Sequence, residues 1–232
     1  RFLGTPKGYQ LVSLAEFLQF WGVVFVVITI GIWVMKKEAP LPLDEQPESV
    51  AQTYGHIRSI FKLQPIMTLT ITLLTCKAAF SPIDAAATFK LQEYGMPKAD
   101  IATFSPVLLV VGLLLPALVG HYVTRDPVRI FIGSIALKLC TCILNWAVFQ
   151  YAVVEYSQHS VPGSTFYASL VTAQVLHEGA GILVYVSIMS FFSQIADPAI
   201  GGTYMTLLNT LANLGSKWPN SLVLYLLPRL TQ

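Results

Sequence analysis

Few residues in this chain have chemistry to offer, and most of those lie inside apolar stretches. Lys77 and Asp84 share one stretch, Lys138 lies in another, His177 and Glu178 in a third, and Asn209, Asn213 and Lys217 in a fourth. An ionisable group at membrane depth costs at least about 2.5 kcal/mol, so it belongs on a face turned to a bundle interior or a wet cavity. The spacing keeps such faces. Thr70, Lys77, Ser81, Asp84 and Thr88 step by 7, 4, 3 and 4, which is one side of a helix. Ser134, Lys138, Thr141 and Asn145 step by 4, 3 and 4, and Gln174, His177, Gly181 and Tyr185 by 3, 4 and 4. Thr206, Asn209, Asn213, Lys217 and Asn220 step by 3, 4, 4 and 3, with Leu207, Leu208, Leu211, Leu214 and Trp218 opposite them. These stripes suit the lining of a polar passage.

Each stripe also has a plainer reading. Serine, threonine and asparagine in membrane helices often only bond neighbouring helices, for about 0.6–2 kcal/mol. Lys138 and Lys217 can instead snorkel toward an interface. Lys77 and Asp84 are about 10 Å apart along one helix, too far to pair within it. Each therefore needs a partner elsewhere, a substrate group or water. His177 with Glu178 reads either as a proton relay or as a hydrogen-bonded structural pair.

Enzyme signatures are weak. His177-Glu178-Gly179-Ala180-Gly181 opens like the zinc motif H-E-x-x-H, but glycine stands where the second histidine ligand belongs. The sequence has no Walker loop and no G-x-S-x-G, and nothing in it calls for a cofactor or a metal. A membrane acyltransferase using His177 stays as a minor alternative. Cys76, Cys140 and Cys142 lie in apolar stretches and read as small buried hydrophobes.

Composition indicates what must position these residues. The chain is 54% hydrophobic and 11% charged, against about 25% charged in ordinary soluble domains. Its net charge of +2 and lack of a basic cluster give no case for nucleic acid. A bilayer core needs roughly 20 apolar residues in a helix. Candidate spans run over residues 14–35, 63–87, 103–122, 130–152, 166–192 and 203–228, giving an all-α polytopic bundle in a lipid bilayer. Pro65, Pro82, Pro106, Pro116 and Pro219 fall in or near them, where each removes a backbone donor and can kink a helix. Residues 36–62 are polar and carry both charge signs. They read as a solvated linker with a short helix from about Glu48. Its cations crowd the span ends, which favours a cytoplasmic linker. The chain begins at Arg1 and stops just after an apolar segment, as a piece of a longer protein would.

Several strings carry a resemblance. Residues 200–210 read IGGTYMTLLNT, followed by Asn213-Leu214-Gly215 and Trp218-Pro219; residues 76–98 read CKAAFSPIDAAATFKLQEYGMPK. LAEFLQFWGVVF at 14–25, then Lys36-Lys37-Glu38, and YVSIMSFFSQIADP at 185–198 complete the set. Together they resemble the acetyl-coenzyme A transporter family, solute carrier family 33, of the major facilitator superfamily. The resemblance implies a twelve-span fold of which this chain holds spans six to eleven. Residues 1–35 would end the N-terminal half, 36–62 would be the cytoplasmic loop between halves, and 63–232 would form spans seven to eleven.

It further implies transport of acetyl-coenzyme A from cytosol into the endoplasmic reticulum lumen by a multi-pass protein of that membrane. Another bulky anion such as glutathione disulfide is the competing substrate, and a homodimer is compatible with it. Candidate substrate ligands are Lys77, Asp84, His177, Asn209, Asn213 and Lys217. The superfamily usually sets its eighth span at the cavity and its ninth at the periphery. Here the span in the eighth position is bland, and the one in the ninth carries Lys138.

Overall fold

The computed structural model describes residues 13–36, 55, 64–158, 162–196 and 201–230. The linker expected over 36–62 therefore lies almost wholly outside the described residues, as does the short helix expected from Glu48. The chain divides into two units, Arg1–Ile57 and Arg58–Gln232.

The first unit contributes α1, Leu14–Met35. Ser13 accepts a hydrogen bond from the Glu16 amide, and the Glu16 carboxylate accepts one from the Ser13 amide. This reciprocal box satisfies two N-terminal donors and fixes where the helix begins. No residue of α1 is buried. An apolar rod with no buried face is what a membrane helix offers to lipid or to further protein.

The second unit is all helix among its described residues. Its elements are α2 (Gln64–Thr75), a 3-10 turn (Ala78–Phe80), α3 (Ser81–Glu93), α4 (Lys98–Val123), α5 (Pro127–Gln158), α6 (Ser164–Ile195) and α7 (Gly201–Leu230). The stretch expected as one span over 63–87 is interrupted. Pro82 has no amide hydrogen to reach the Ala78 carbonyl, so the helix yields to the 3-10 turn and restarts with Pro82 in its first turn. Further along, Gly95 takes φ 105°, and Met96 and Gly95 donate their amides to the Leu91 and Gln92 carbonyls. That pattern closes α3 and sets Met96 against Leu91 in one apolar cluster. Pro106 and Pro116 lie within α4 without breaking it. The Asp126 carboxylate accepts from the Arg129 amide at the start of α5, with Pro127 as the first helical residue.

Five helical stretches are long and apolar enough to cross a membrane: Leu14–Met35, Gln64–Glu93, Lys98–Val123, Pro127–Gln158 and Ser164–Ile195. The sixth expected span, 203–228, is helical throughout as part of the 30-residue α7, but α7 is not among the five. Its asparagines and Lys217 dilute its apolar face.

α6 packs along α5 and α4, while α7 packs along α2 and α3. Two apolar clusters form. One joins Leu73, Val184, Ile188, Phe192, Leu208 and Ala212; the other joins Leu91, Val148, Ala152, Phe166, Leu170 and Ala173. On α6 the two are separated by the segment from Ala173 to Val184, about 16 Å of helix. Three buried polar residues, Thr141, Asn145 and His177, lie at that gap.

Candidate functional site

Three helices meet at the gap, and each supplies one turn of its polar stripe. α3 brings Asp84, α5 brings Lys138, Thr141 and Asn145, and α6 brings Gln174 and His177. The His177 ring, 5% exposed, donates from Nε2 to Asp84 Oδ1 at 2.7 Å. Lys138 Nζ stands 3.3 Å from the same oxygen, with its side chain 12% exposed against 32% for Asp84. The ammonium also lies 5.5 Å from the Phe80 ring centre, an attractive placement for a cation over an aromatic face. Gly181 makes room for it, since a Cβ there would come within 3.0 Å of Nζ.

The other ring nitrogen of His177 is also held. Its Nδ1 is 2.9 Å from the Thr141 hydroxyl, which is 2.8 Å from the Lys138 carbonyl. Next along α5, Asn145 is fully buried. It donates to the Thr141 and Ala173 carbonyls and accepts from Gln174 Nε2 at 3.2 Å. With donors and acceptor matched, the amide ties α5 to α6 at a depth where an orphaned polar group is expensive.

Lys77 takes another route. It sits at the helix interruption and donates to the Ala212 carbonyl of α7 at 3.1 Å. Here α7 approaches the broken helix closely. The Trp218 indole donates to the Leu74 carbonyl at 2.9 Å, and a Cβ on Gly215 would overlap the Leu73 carbonyl.

Of the residues singled out from sequence, the structure brings Asp84 and His177 into contact and sets Lys77 nearby. Lys138 does not snorkel; it is Asp84's ion-pair partner. Asn209 is half-buried and Asn213 exposed, and the Asn213 amide reaches Asn209 Oδ1 at 3.5 Å. Lys217 is exposed and makes no ion pair among the described residues. The His177–Glu178 pair does not form: Glu178 faces a groove of about 550 Å³ lined by Ser105, Leu108, Leu109, Gly112 and Leu113 of α4. Sequence reasoning missed the link of Lys138 to Asp84 and that of Thr141 to His177. Both residues were visible on the α5 stripe, but nothing in the spacing says which helix that stripe will face.

No group of three or more histidine, cysteine or acidic residues is placed to hold a metal among the described residues. The site thus brings together two lysines, a carboxylate, an imidazole and side-chain amides. Comparison with known proteins bears on this. The profile of the acetyl-coenzyme A transporter 1 family matches residues 42–131 and 131–232. The chain belongs to that family. Among curated proteins, an uncharacterized membrane protein of Saccharomyces cerevisiae is 24% identical, with 96% of this chain and 49% of the relative covered. An uncharacterized protein of Schizosaccharomyces pombe is also 24% identical, covering 97% of this chain and 42% of its own length. The chain thus spans about half the length of the curated relatives it matches. No solved structure matches it. Within the acetyl-coenzyme A transporter 1 family, this chain gathers Asp84, Lys138 and His177 from α3, α5 and α6.

Proposed function

We propose that the protein is an acetyl-coenzyme A transporter of the major facilitator type, and that this chain supplies spans six to eleven. Residues 36–62 then form the cytoplasmic loop between the halves, and 63–232 the C-terminal bundle. The cargo moves from cytosol into the endoplasmic reticulum lumen by alternating access, with the two halves rocking about a shared site. The observation that carries this reading is the family match over residues 42–232.

The geometry supplies the chemistry. Coenzyme A carries a diphosphate and a 3′-phosphate. Lys77 and Lys138 are cations at membrane depth, and each is held by a weak enough partner to be recruited: a backbone carbonyl in one case, a part-exposed carboxylate in the other. Asn209, Asn213 and Lys217 extend the polar face along α7, where the missing half would stand across the passage. The span in the ninth position, rather than the bland one in the eighth, brings a cation to the site.

Uptake of labelled acetyl-coenzyme A into sealed vesicles bearing the full-length protein tests the reading. Losing a charge-assisted contact worth about 1.5–3 kcal/mol, Lys77→Ala should weaken apparent affinity by about 10–100-fold. Unchanged uptake removes Lys77 from the site. Stronger competition by glutathione disulfide than by acetyl-coenzyme A reassigns the cargo. Product formation by solubilised protein, with no compartment to fill, would favour acyl transfer by His177 instead.

A further inference from the structure

We infer that the Asp84–His177–Thr141 chain is a proton-binding site, and that it takes up a proton when a polyanion engages Lys138. The inference rests on the proposed anion site and adds the coupling ion to it.

The hydrogen bonds around His177 accommodate two charge states of the ring. An ionised carboxylate only accepts, so Nε2 carries a hydrogen toward Asp84 in every charge state of the ring. The other nitrogen faces a hydroxyl that has two choices. With neutral His177, the Thr141 hydroxyl donates to Nδ1. With protonated His177, Nδ1–H donates to Thr141 Oγ1, and the hydroxyl hydrogen turns to the Lys138 carbonyl 2.8 Å away. Both states satisfy every donor. A purely structural histidine needs one arrangement; this one has two, exchanged by rotating one hydroxyl.

Asp84 sets the coupling. Its Oδ1 is shared by Lys138 at 3.3 Å and His177 at 2.7 Å. With the passage empty, the ammonium neutralises the carboxylate and the ring can stay neutral. When a phosphate takes Lys138, the carboxylate loses that counter-charge and a second negative charge arrives. A proton on His177 then restores the balance. It comes from water on the side where cargo binds, by way of the part-exposed face of Asp84, and leaves on the other side with the cargo. By linkage, the anion favours the proton as much as the proton favours the anion.

The surrounding charges leave His177 as the group able to respond. On the broken helix, Lys77 is held by Ala212 and Asp84 is the shared acceptor. On α5 the neighbours are Lys138 and the half-buried Cys142 thiol. On α6 itself, Glu178 turns to the α4 groove. α4 has no charged residue between 101 and 120. α7 offers the Ala212 carbonyl, and its own cation Lys217 is exposed.

Calorimetry on full-length protein in nanodiscs tests the inference. Acetyl-coenzyme A binding is measured between pH 6 and pH 8 in buffers of different ionisation enthalpy, which gives the protons taken up per ligand bound. The wild type is expected to take up more protons than His177→Gln or Asp84→Asn, by up to about one near neutrality. The ligand's own phosphate contributes equally to all three and cancels. Acetyl-dephospho-coenzyme A has no phosphate titrating in this range, so it gives the count from wild type alone should a variant fail to fold. Binding with no proton uptake in that arm, or with equal uptake in wild type and variants, overturns the inference and leaves the anion site standing. No binding of either ligand overturns both.

Discussion

Replacing the Asp84 carboxylate by an amide leaves the Lys138 ammonium, 12% exposed, with no counter-charge and gives His177 an uncharged, weaker acceptor. Breaking a fully buried pair costs about 3–5 kcal/mol. With the Asp84 side chain 32% exposed, water screens part of that, and Asp84→Asn should destabilise by about 2 kcal/mol. Adding Lys138→Met should recover part of the loss, with a coupling of about 0.5–3 kcal/mol. Thermal unfolding of the detergent-solubilised protein reads both; strictly additive losses would mean that the pair does not interact. At this scale the sequence spoke clearly about which residues matter. Lys77, Asp84 and His177 stood out because ionisable groups at helical spacing inside apolar runs have few innocent explanations. It said less about partners. His177 was expected beside Glu178, its chain neighbour. On a helix, adjacent residues point about 100° apart, so His177 reached Asp84 on another helix while Glu178 turned away.

Helices were legible from hydropathy to within about six residues at their ends, apart from one interruption. Residues 63–87 read as one rod because the polar stripe stays in phase across Lys77. Pro82 is a warning sign, but a proline can kink a helix without ending it, and only the packed structure shows which happens. Here the interruption is held open by α7, through Lys77 to Ala212 and Trp218 to Leu74. Gly215 lets the two backbones touch at that point. Gly215→Ala should force α7 away from α2 and cost about 1–3 kcal/mol, the range for an overpacked interior. The prediction is a lowered thermal midpoint. An unchanged midpoint would show that the contact yields freely. Gly215 carried no signal of this in the sequence beyond its place in a resembling string.

For the whole molecule, composition alone set the class: so apolar a chain needs lipid around it. The structure adds which faces of this chain are left uncovered among the described residues. Leu109 and Leu113 on α4 are each 73% exposed, while His177 is 5% exposed. Spin labels at 109 and 113 in bilayers should be relaxed strongly by oxygen and weakly by a water-soluble nickel reagent, whereas a label at Asn213 should show the reverse. Equal water access at 109 and 113 would place α4 on the passage rather than at the lipid boundary. Among the described residues, Asn213 and Lys217 on the polar face of α7 are exposed, and only the resemblance implies what would stand across from them.

The joint at residues 76–80 has a consequence for motion. In hydrocarbon, a carbonyl deprived of its donor costs several kcal/mol. Sliding α7 off α2 would deprive Leu74 of the indole and strand the Lys77 ammonium. Those two rods therefore travel as a single strut through any rocking cycle. Because α7 packs along α3 as well as α2, it braces the joint from both sides and keeps Asp84 within reach of Lys138 and His177.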